Sequence, residues 1–437
     1  MTNFLNKINN KLKSTIIKLG FKSSLFFDQP WLAALIFYFS AREINKKGNK
    51  KYRVLCLRRS IFLEDVKTMS EFSGLIDYVI VESEYFRLLL NYFLKENQVN
   101  VTEENYHSTS VGQFGKQKYY DFLNEMFPLL RRLLKFDAIL SGNFGYMEQQ
   151  EIARVCKERK VPFIILHKEG VAIPGTYQKW ATLCKGYKFI GDKLLLYNED
   201  IKKALLAIEF SGLTEEKVKV VGVPRLDKLF RKERKKTDDK QIVFFSFYPS
   251  DKLFFFIGDD AEKINKAEKR VEDFHRWIIN FAAQNPSYKI IIKTKFSKHY
   301  LEFVLNIFKV KTKEKINNLV ITNLGDTADL IQDSSAVIGF NSTTFIESII
   351  LDKPIASPYF GDLTQNEPWD WFGEYPGLAS YIKKESDILS FMEKLKGWEG
   401  YDYQIKRNFL DIFVNNCNGK SSIRAERAVI ETINSLR

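Results

Sequence analysis

From residue 51 onward, short apolar runs alternate with longer amphipathic stretches, and each run ends in polar or turn-forming residues. "YRVLCL" (52–57) and "YVIV" (78–81) read as strands. "FDAILSG" (136–142) passes through "NFGYMEQQEIARVCKERK", a loop and then a helix, into the strand "VPFIILH" (161–167). Strand, loop, helix and strand in that order form the βαβ unit of a parallel sheet. "DKLLLYNE" (192–199) and "VKVVGV" (218–223) add two strands, with the helix "EDIKKALLAIEFSG" between them.

The pattern breaks at "RKERKKTDDKQ" (231–241), a charged stretch without an apolar side chain, which reads as a linker. A second series follows: "IVFFSFY" (242–248), a helix over 261–284, "YKIIIKTK" (288–295), "NLVITN" (318–323), a short helix near 326–333, "AVIGF" (336–340), another helix, and "PIASP" (354–358). The expectation is an α/β protein of two Rossmann-like domains facing a cleft, over 51–230 and 242–437. Residues 1–50 form a separate helical segment ahead of them. In such sheets ligands bind at the carboxyl ends of the strands, so polar clusters there carry most weight.

Residues 1–24 contain Lys7, Lys11, Lys13, Lys18 and Lys22 and no acid, while Phe4, Ile8, Leu12, Ile16 and Leu19 recur at helical spacing. A basic amphipathic helix of this kind either lies on an anionic membrane surface or packs its stripe on its own domain. The next run, "SLFFDQPWLAALIFYFS" (24–40), is interrupted by Asp28 and Pro30 and falls short of the ~20 apolar residues of a spanning helix. With no signal-peptidase-like site, the expectation is a cytoplasmic protein, peripheral at the membrane at most.

At 437 residues, 45% apolar and 28% charged, the chain has an ordinary globular composition for two domains. The net charge of +13 calls for an anionic partner. Helix-turn-helix, RNP and zinc-finger signatures are missing, so nucleic acid is not the expected one. Cysteines at 56, 156, 184 and 417 show no CxxC spacing and read as free thiols. The four histidines (107, 167, 275, 299) form no HxxxH or Cys/His cluster, so neither a metal site nor a bound cofactor is expected. His275, beside Phe274 and Trp277, reads as a buried structural histidine.

Three polar clusters sit at strand ends. "LHKEGVAIPGTY" (166–177) offers His167, Lys168 and Glu169, and a carboxylate there can serve as acid, base or nucleophile. "VVGVPRLDKL" (220–229) places Arg225 and Asp227 after Gly222; the arginine suits phosphate or carboxylate, and the aspartate can equally cap a helix. "GFNSTTFIESIILDKPI" (339–355) puts Asn341, Ser342, Thr343 and Thr344 where a strand hands over to a helix, with Glu347 a turn later. Free N–H groups at a helix start make an anion site, and the hydroxyls can wrap phosphate oxygens. Glu347 can accept the hydroxyls of a ribose, and Lys293 and Lys295 of "IIIKTKFSKH" add positive charge. "FFFIG" (254–258) reads as core or cleft wall, and "EPWDWFGEY" (367–375) as an acceptor-side loop.

The "NSTTFIES" turn, the following "LDKPIASPYFGD", the "GVPRLDKL" segment and the tail "NGKSSIRAERAVIETI" (418–433) resemble GT-B glycosyltransferases of bacterial surface-polysaccharide synthesis. The likeness runs over roughly 136–433 and is nearest to CMP-Kdo transferases and CDP-glycerol-type polyol phosphate transferases. It departs from them at Lys293-Thr294-Lys295-Phe296, where many carry a His-Pro pair. The resemblance implies a GT-B fold whose closing helix crosses back, with the donor nucleotide on the second domain. It implies transfer of Kdo or a related ulosonic acid from a CMP-linked donor to a capsule- or lipopolysaccharide-type glycan, without a metal. Glu169 and Asp227 would be the carboxylates at the anomeric carbon, in either order, with His167 and Arg225 beside them. Asn143, Lys168 and Gly222 would line the acceptor side, where a glycan or lipid-linked glycan enters. A CDP-polyol phosphate transferase, a non-hydrolysing UDP-sugar epimerase of the same fold, and a non-enzymatic basic binding protein are the alternatives.

Overall fold

A computed structural model describes residues 2–45, 50–59, 61–72, 74–95, 100–108, 110–173, 175–232, 240–248, 257–258, 260–311, 315–364, 369–416 and 418–437, with side chains from residue 12 onward. The chain divides into two compact units. The first holds Met1–Gly170, Tyr177–Asp227 and Val414–Arg437; the second holds Val171–Thr176 and Lys228–Phe413. Most of the expected linker lies outside the described residues.

The first unit is built on a seven-stranded sheet ordered β1-β3-β2-β4-β5-β6-β7. Its strands are β1 (Arg42–Glu43), β2 (Tyr52–Arg58), β3 (Ile76–Glu82), β4 (Ala138–Ser141), β5 (Phe163–Leu166), β6 (Lys193–Leu196) and β7 (Val218–Val220). All pairings are parallel except β1 with β3, where Arg42 lies opposite Ile80. Helices cover both faces, so β4 and β5 are buried throughout, β2 is buried except at Arg53 and Arg58, and these strands read as apolar runs rather than alternating patterns. Among the parallel strands the chain starts at β2, steps outward to β3, then crosses to β4 on the other side, so the strand order reverses between β2 and β4.

Residues 1–50 are part of this unit, not a separate segment. The helices Thr2–Phe26 and Pro30–Ser40 bring Phe21 within 4.7 Å of Phe37 and 5.1 Å of Tyr85, ring centre to ring centre. Phe37 in turn lies 4.6 Å from Phe86. The closing helix Ser421–Ser435 also belongs to the first unit although the chain reaches it last, so the second unit ends at Phe413 rather than at 437.

The second unit carries six parallel strands ordered β10-β9-β8-β11-β12-β13. They are β8 (Gln241–Phe245), β9 (Lys289–Lys293), β10 (Leu319–Thr322), β11 (Ala336–Ile338), β12 (Ile355–Pro358) and β13 (Ala379–Ile382). Here the order reverses between β8 and β11. The helix Ala261–Gln284 starts where the Asp260 carboxylate accepts the N–H groups of Glu262 and Lys263, and it buries Val271, Phe274 and Ile278 over the sheet. Among the described residues no helix is long and apolar enough to cross a membrane, and no cluster of three His, Cys, Asp or Glu side chains could hold a metal ion.

Candidate functional site

Each sheet has one reversal point, and polar side chains gather at both. In the second unit β11 runs out through Gly339 and Phe340 into Asn341, held at φ +39, a left-handed turn that Asn tolerates better than most residues. The Asn341 amide donates to the Trp369 carbonyl at 2.6 Å, which anchors the turn. Ser342 caps the helix Thr343–Ile350, its hydroxyl accepting the Thr344 N–H at a long 3.4 Å. Thr344 is 9% exposed, and its hydroxyl has no hydrogen-bond partner. A buried hydroxyl left without a partner costs about 1–3 kcal/mol, and it stands beside the positive end of a helix. Glu347 is half-buried one turn further on.

Other expected site residues of this unit divide by what they touch. The Lys293 ammonium is half-buried, bonds the Thr294 carbonyl at 2.7 Å, and is held below the ordinary lysine range by burial. Lys295 donates to the Tyr300 hydroxyl at 3.1 Å and lies over that ring. Both stand at the end of β9, two strand spacings or ~10 Å along the sheet from β11. Lys353 of "LDKP" is buried, donates to the Gln332 and Ser334 carbonyls at 3.0 and 2.6 Å, and is pulled down to about 8 by burial. It ties the end of the helix Thr327–Gln332 to the sheet. His275 is structural, as expected: its Nδ1–H donates to the Val271 carbonyl at 2.7 Å, so Nε2 accepts the Ser246 hydroxyl at 2.8 Å. Ile257 is core, as "FFFIG" suggests, and residues 254–256 lie outside the described ones, as do 367 and 368. Trp369 packs edge-on to Tyr359 and near-parallel to Phe340, while the buried Asp370 carboxylate accepts the Tyr381 hydroxyl.

In the first unit, a network that sequence reading missed lies at the reversal between β2 and β4. Glu148 is fully buried just past β4; it accepts the Ser83 hydroxyl at 2.9 Å and lies 3.5 Å from Arg59 and 3.8 Å from Arg87. Gln149 donates to Ser83 at 2.7 Å and accepts from Ser141, which ends β4. The Arg59 guanidinium covers the Tyr146 ring at 4.1 Å. Nothing in "GYMEQQE" sets Glu148 apart from an ordinary helical glutamate, and these partners come from two distant segments. Asn143 folds its side-chain carbonyl onto the Gly145 N–H at 2.8 Å and is half-buried beside this network.

The loop after β5 is pinned to the same edge, the Lys168 N–H donating to the Gly142 carbonyl at 2.9 Å. Glu169 is exposed and pairs with the Lys168 ammonium at 2.7 Å. Partial burial pushes its carboxyl up, but the bond and charge of Lys168, with the Arg225 guanidinium, outweigh that and hold it below the ordinary range. It is therefore ionised at neutral pH, suited to act as a base or nucleophile and poorly suited to be an acid. His167 turns inward: its ring stacks on Phe144 at 4.5 Å, and neither nitrogen has a hydrogen-bond partner. Burial pulls it down to about 4, so it is neutral. It cannot donate a proton from an imidazolium at pH 7.

"VVGVPRLDKL" is a clasp, which corrects the expected catalytic Asp227 and acceptor-side Gly222. Asp227 has no exposed surface, and its two oxygens accept the N–H groups of Ser421 and Ser422 at 3.0 and 2.6 Å, at the start of the closing helix. Gly222 has φ +85, and a Cβ there would stand 2.4 Å from the Ser421 hydroxyl and 2.5 Å from the Val414 carbonyl. Arg225 is buried in a triangle with Asp65 and Tyr197, bonding the carboxylate at 3.2 Å and the phenol at 2.7 Å. These groups serve the body of the first unit and leave Glu169 as the carboxylate open to a ligand.

No protein-family model matches the chain, and no curated protein matches it in sequence. Solved structures match it in fold. The UDP-GlcNAc 2-epimerase of Methanocaldococcus jannaschii is 14% identical with a TM-score of 0.51, over 88% of this chain and 100% of that one. A Listeria monocytogenes protein assigned as a UDP-N-acetylglucosamine 2-epimerase is 9% identical with a TM-score of 0.51, over 89% and 98%. At such identities the likeness is one of fold: the chain has two Rossmann-like units of the GT-B type.

Proposed function

We propose that the chain is an enzyme acting on a nucleotide sugar, with the nucleotide seated on the turn from Asn341 to Glu347. The observation that carries this reading is the position of that turn. It lies at the strand-order reversal of the second sheet, with a helix start and three hydroxyls together, that of Thr344 orphaned. The phosphates would take the helix N–H groups and the Ser342, Thr343 and Thr344 hydroxyls, and Glu347 the ribose. Lys293 and Lys295 would offset the charge of the leaving phosphate. In the first unit, Glu169, ionised and flanked by Lys168, is the carboxylate open to a ligand.

Between reactions, the fold neighbours support acceptor-free turnover of a UDP-sugar, the epimerase reading, since both are named for UDP-GlcNAc 2-epimerisation. Glycosyl transfer from a CMP-linked donor such as CMP-Kdo is the second reading, supported by the resemblance of "GVPRLDKL" and the tail 418–433 to such transferases. Incubating the protein with UDP-GlcNAc alone, and in parallel with CMP-Kdo or CDP-glycerol and a glycan acceptor, separates them. A second sugar signal set by NMR without acceptor supports epimerisation. Acceptor-dependent CMP release supports transfer, of sugar from CMP-Kdo or of polyol phosphate from CDP-glycerol. Salt-sensitive binding to random DNA with no nucleotide binding would overturn the proposal in favour of a basic binding protein.

A further inference from the structure

The helix Thr2–Phe26 has two apolar faces. Phe21, Ser24 and Leu25 are buried against the first unit, with Phe21 on Phe37 and Tyr85. The opposite stripe, Leu12, Ile16, Leu19 and Phe26, follows the same helical spacing and faces out, Ile16 at 60% and Phe26 at 77% exposure. The neighbouring helix Pro30–Ser40 repeats the arrangement: Ala33, Ala34 and Phe37 are buried, while Trp31, Tyr38 and Phe39 are exposed, Phe39 at 71%. The two helices pack together, since a Cβ on Gly20 would meet Ile36 at 3.0 Å. A helix pair that only covered its own domain would turn polar residues outward. Exposed apolar stripes on both call for something to cover them.

We infer that this face docks on an anionic lipid bilayer. The exposed stripe on Thr2–Phe26 is flanked by Lys13 on one side and Lys22 on the other, and residues 1–27 contain no acid. Lys18 is engaged with Glu84 at 2.7 Å, so the flanking charge comes from Lys13 and Lys22. The charge argues against a second copy as the cover, because pairing this face with itself would set lysines against lysines. It also argues against any partner that is not strongly acidic. Phe, Trp and Tyr at the exposed positions suit the headgroup level, where an aromatic ring meets both acyl chain and water. The helices would lie in the plane of the interface with the first unit above it, without crossing the bilayer.

The test uses the full chain and vesicles of phosphatidylcholine with or without about a third phosphatidylglycerol, read by co-sedimentation. Binding to the anionic vesicles that weakens with salt is the expected result. Lys13→Gln with Lys22→Gln should weaken it by roughly thirtyfold, from ~1 kcal/mol for each basic charge lost near the surface. Phe26→Ser with Phe39→Ser should abolish it at physiological salt; both side chains are exposed, so melting temperature should not change. Three results would overturn the inference: no binding to anionic vesicles, equal binding to neutral ones, or the Phe26/Phe39 variant binding as wild type. A stable dimer in solution that the same variant dissociates would also overturn it, by assigning the face to a second copy.

Discussion

The Asp227 carboxylate receives the Ser422 N–H at 2.6 Å in a wholly buried contact, which joins the last turn before the second unit to the first turn of the closing helix. The adjoining Ser421 N–H takes the other oxygen, so both lone-pair faces directed at the helix are used. A carboxylate at a helix start satisfies orphan donors and meets the positive end of the helix dipole.

Asp227→Ala therefore removes a structural cap and leaves two buried N–H groups without partners. A loss of about 2–4 kcal/mol in urea unfolding is expected, with turnover per folded molecule retained. A variant as stable as wild type but inactive would return Asp227 to the chemistry.

His167 makes the opposite prediction. A ring stacked on Phe144 with two unsatisfied nitrogens is a costly way to fill a core position. His167→Phe should keep or raise the melting temperature, gaining up to about 1–3 kcal/mol. Lost turnover in that stable variant would show that the imidazole is kept for function; unchanged turnover would make it core alone.

The two fully buried histidines also set the acid limit. His167 and His275 are both pulled down to about 4 by burial, against 6.5 in the unfolded chain. The unfolded state binds protons that the folded state refuses, so the stability they contribute is fully present above pH 6.5 and is lost as pH falls toward 4. Each lowers stability by roughly 1.4 kcal/mol per pH unit inside that window. Calorimetric unfolding near pH 5 should take up close to two protons from these groups, and His167→Phe should remove one.

The legible part of the fold was its central strands. Runs such as 161–167 and 336–340 are apolar because helices bury both faces, and that leaves a strong mark in the sequence. β1 and β13 left little mark: one is two exposed residues and the other a half-exposed edge. The Asn341–Glu347 turn was legible as a capped helix start because strand, cap and helix are contiguous. The clasp stays ambiguous in the sequence because a cap and a catalytic aspartate look the same until the helix being capped, nearly two hundred residues away in the chain, is in place. The Glu148 network was invisible for the same reason, since Ser83, Arg59 and Arg87 meet it only in three dimensions.

The central claim is a nucleotide held at the Asn341–Glu347 turn, and titration calorimetry of Thr344→Val against wild type with UDP and CMP tests it most directly. The change is close to isosteric and removes a hydroxyl with no partner within the protein. Saturable binding of one nucleotide by wild type, weakened about tenfold or more in the variant while its melting temperature holds or rises, is the predicted result. Equal affinity in both proteins, or no binding of either nucleotide by wild type, would contradict it.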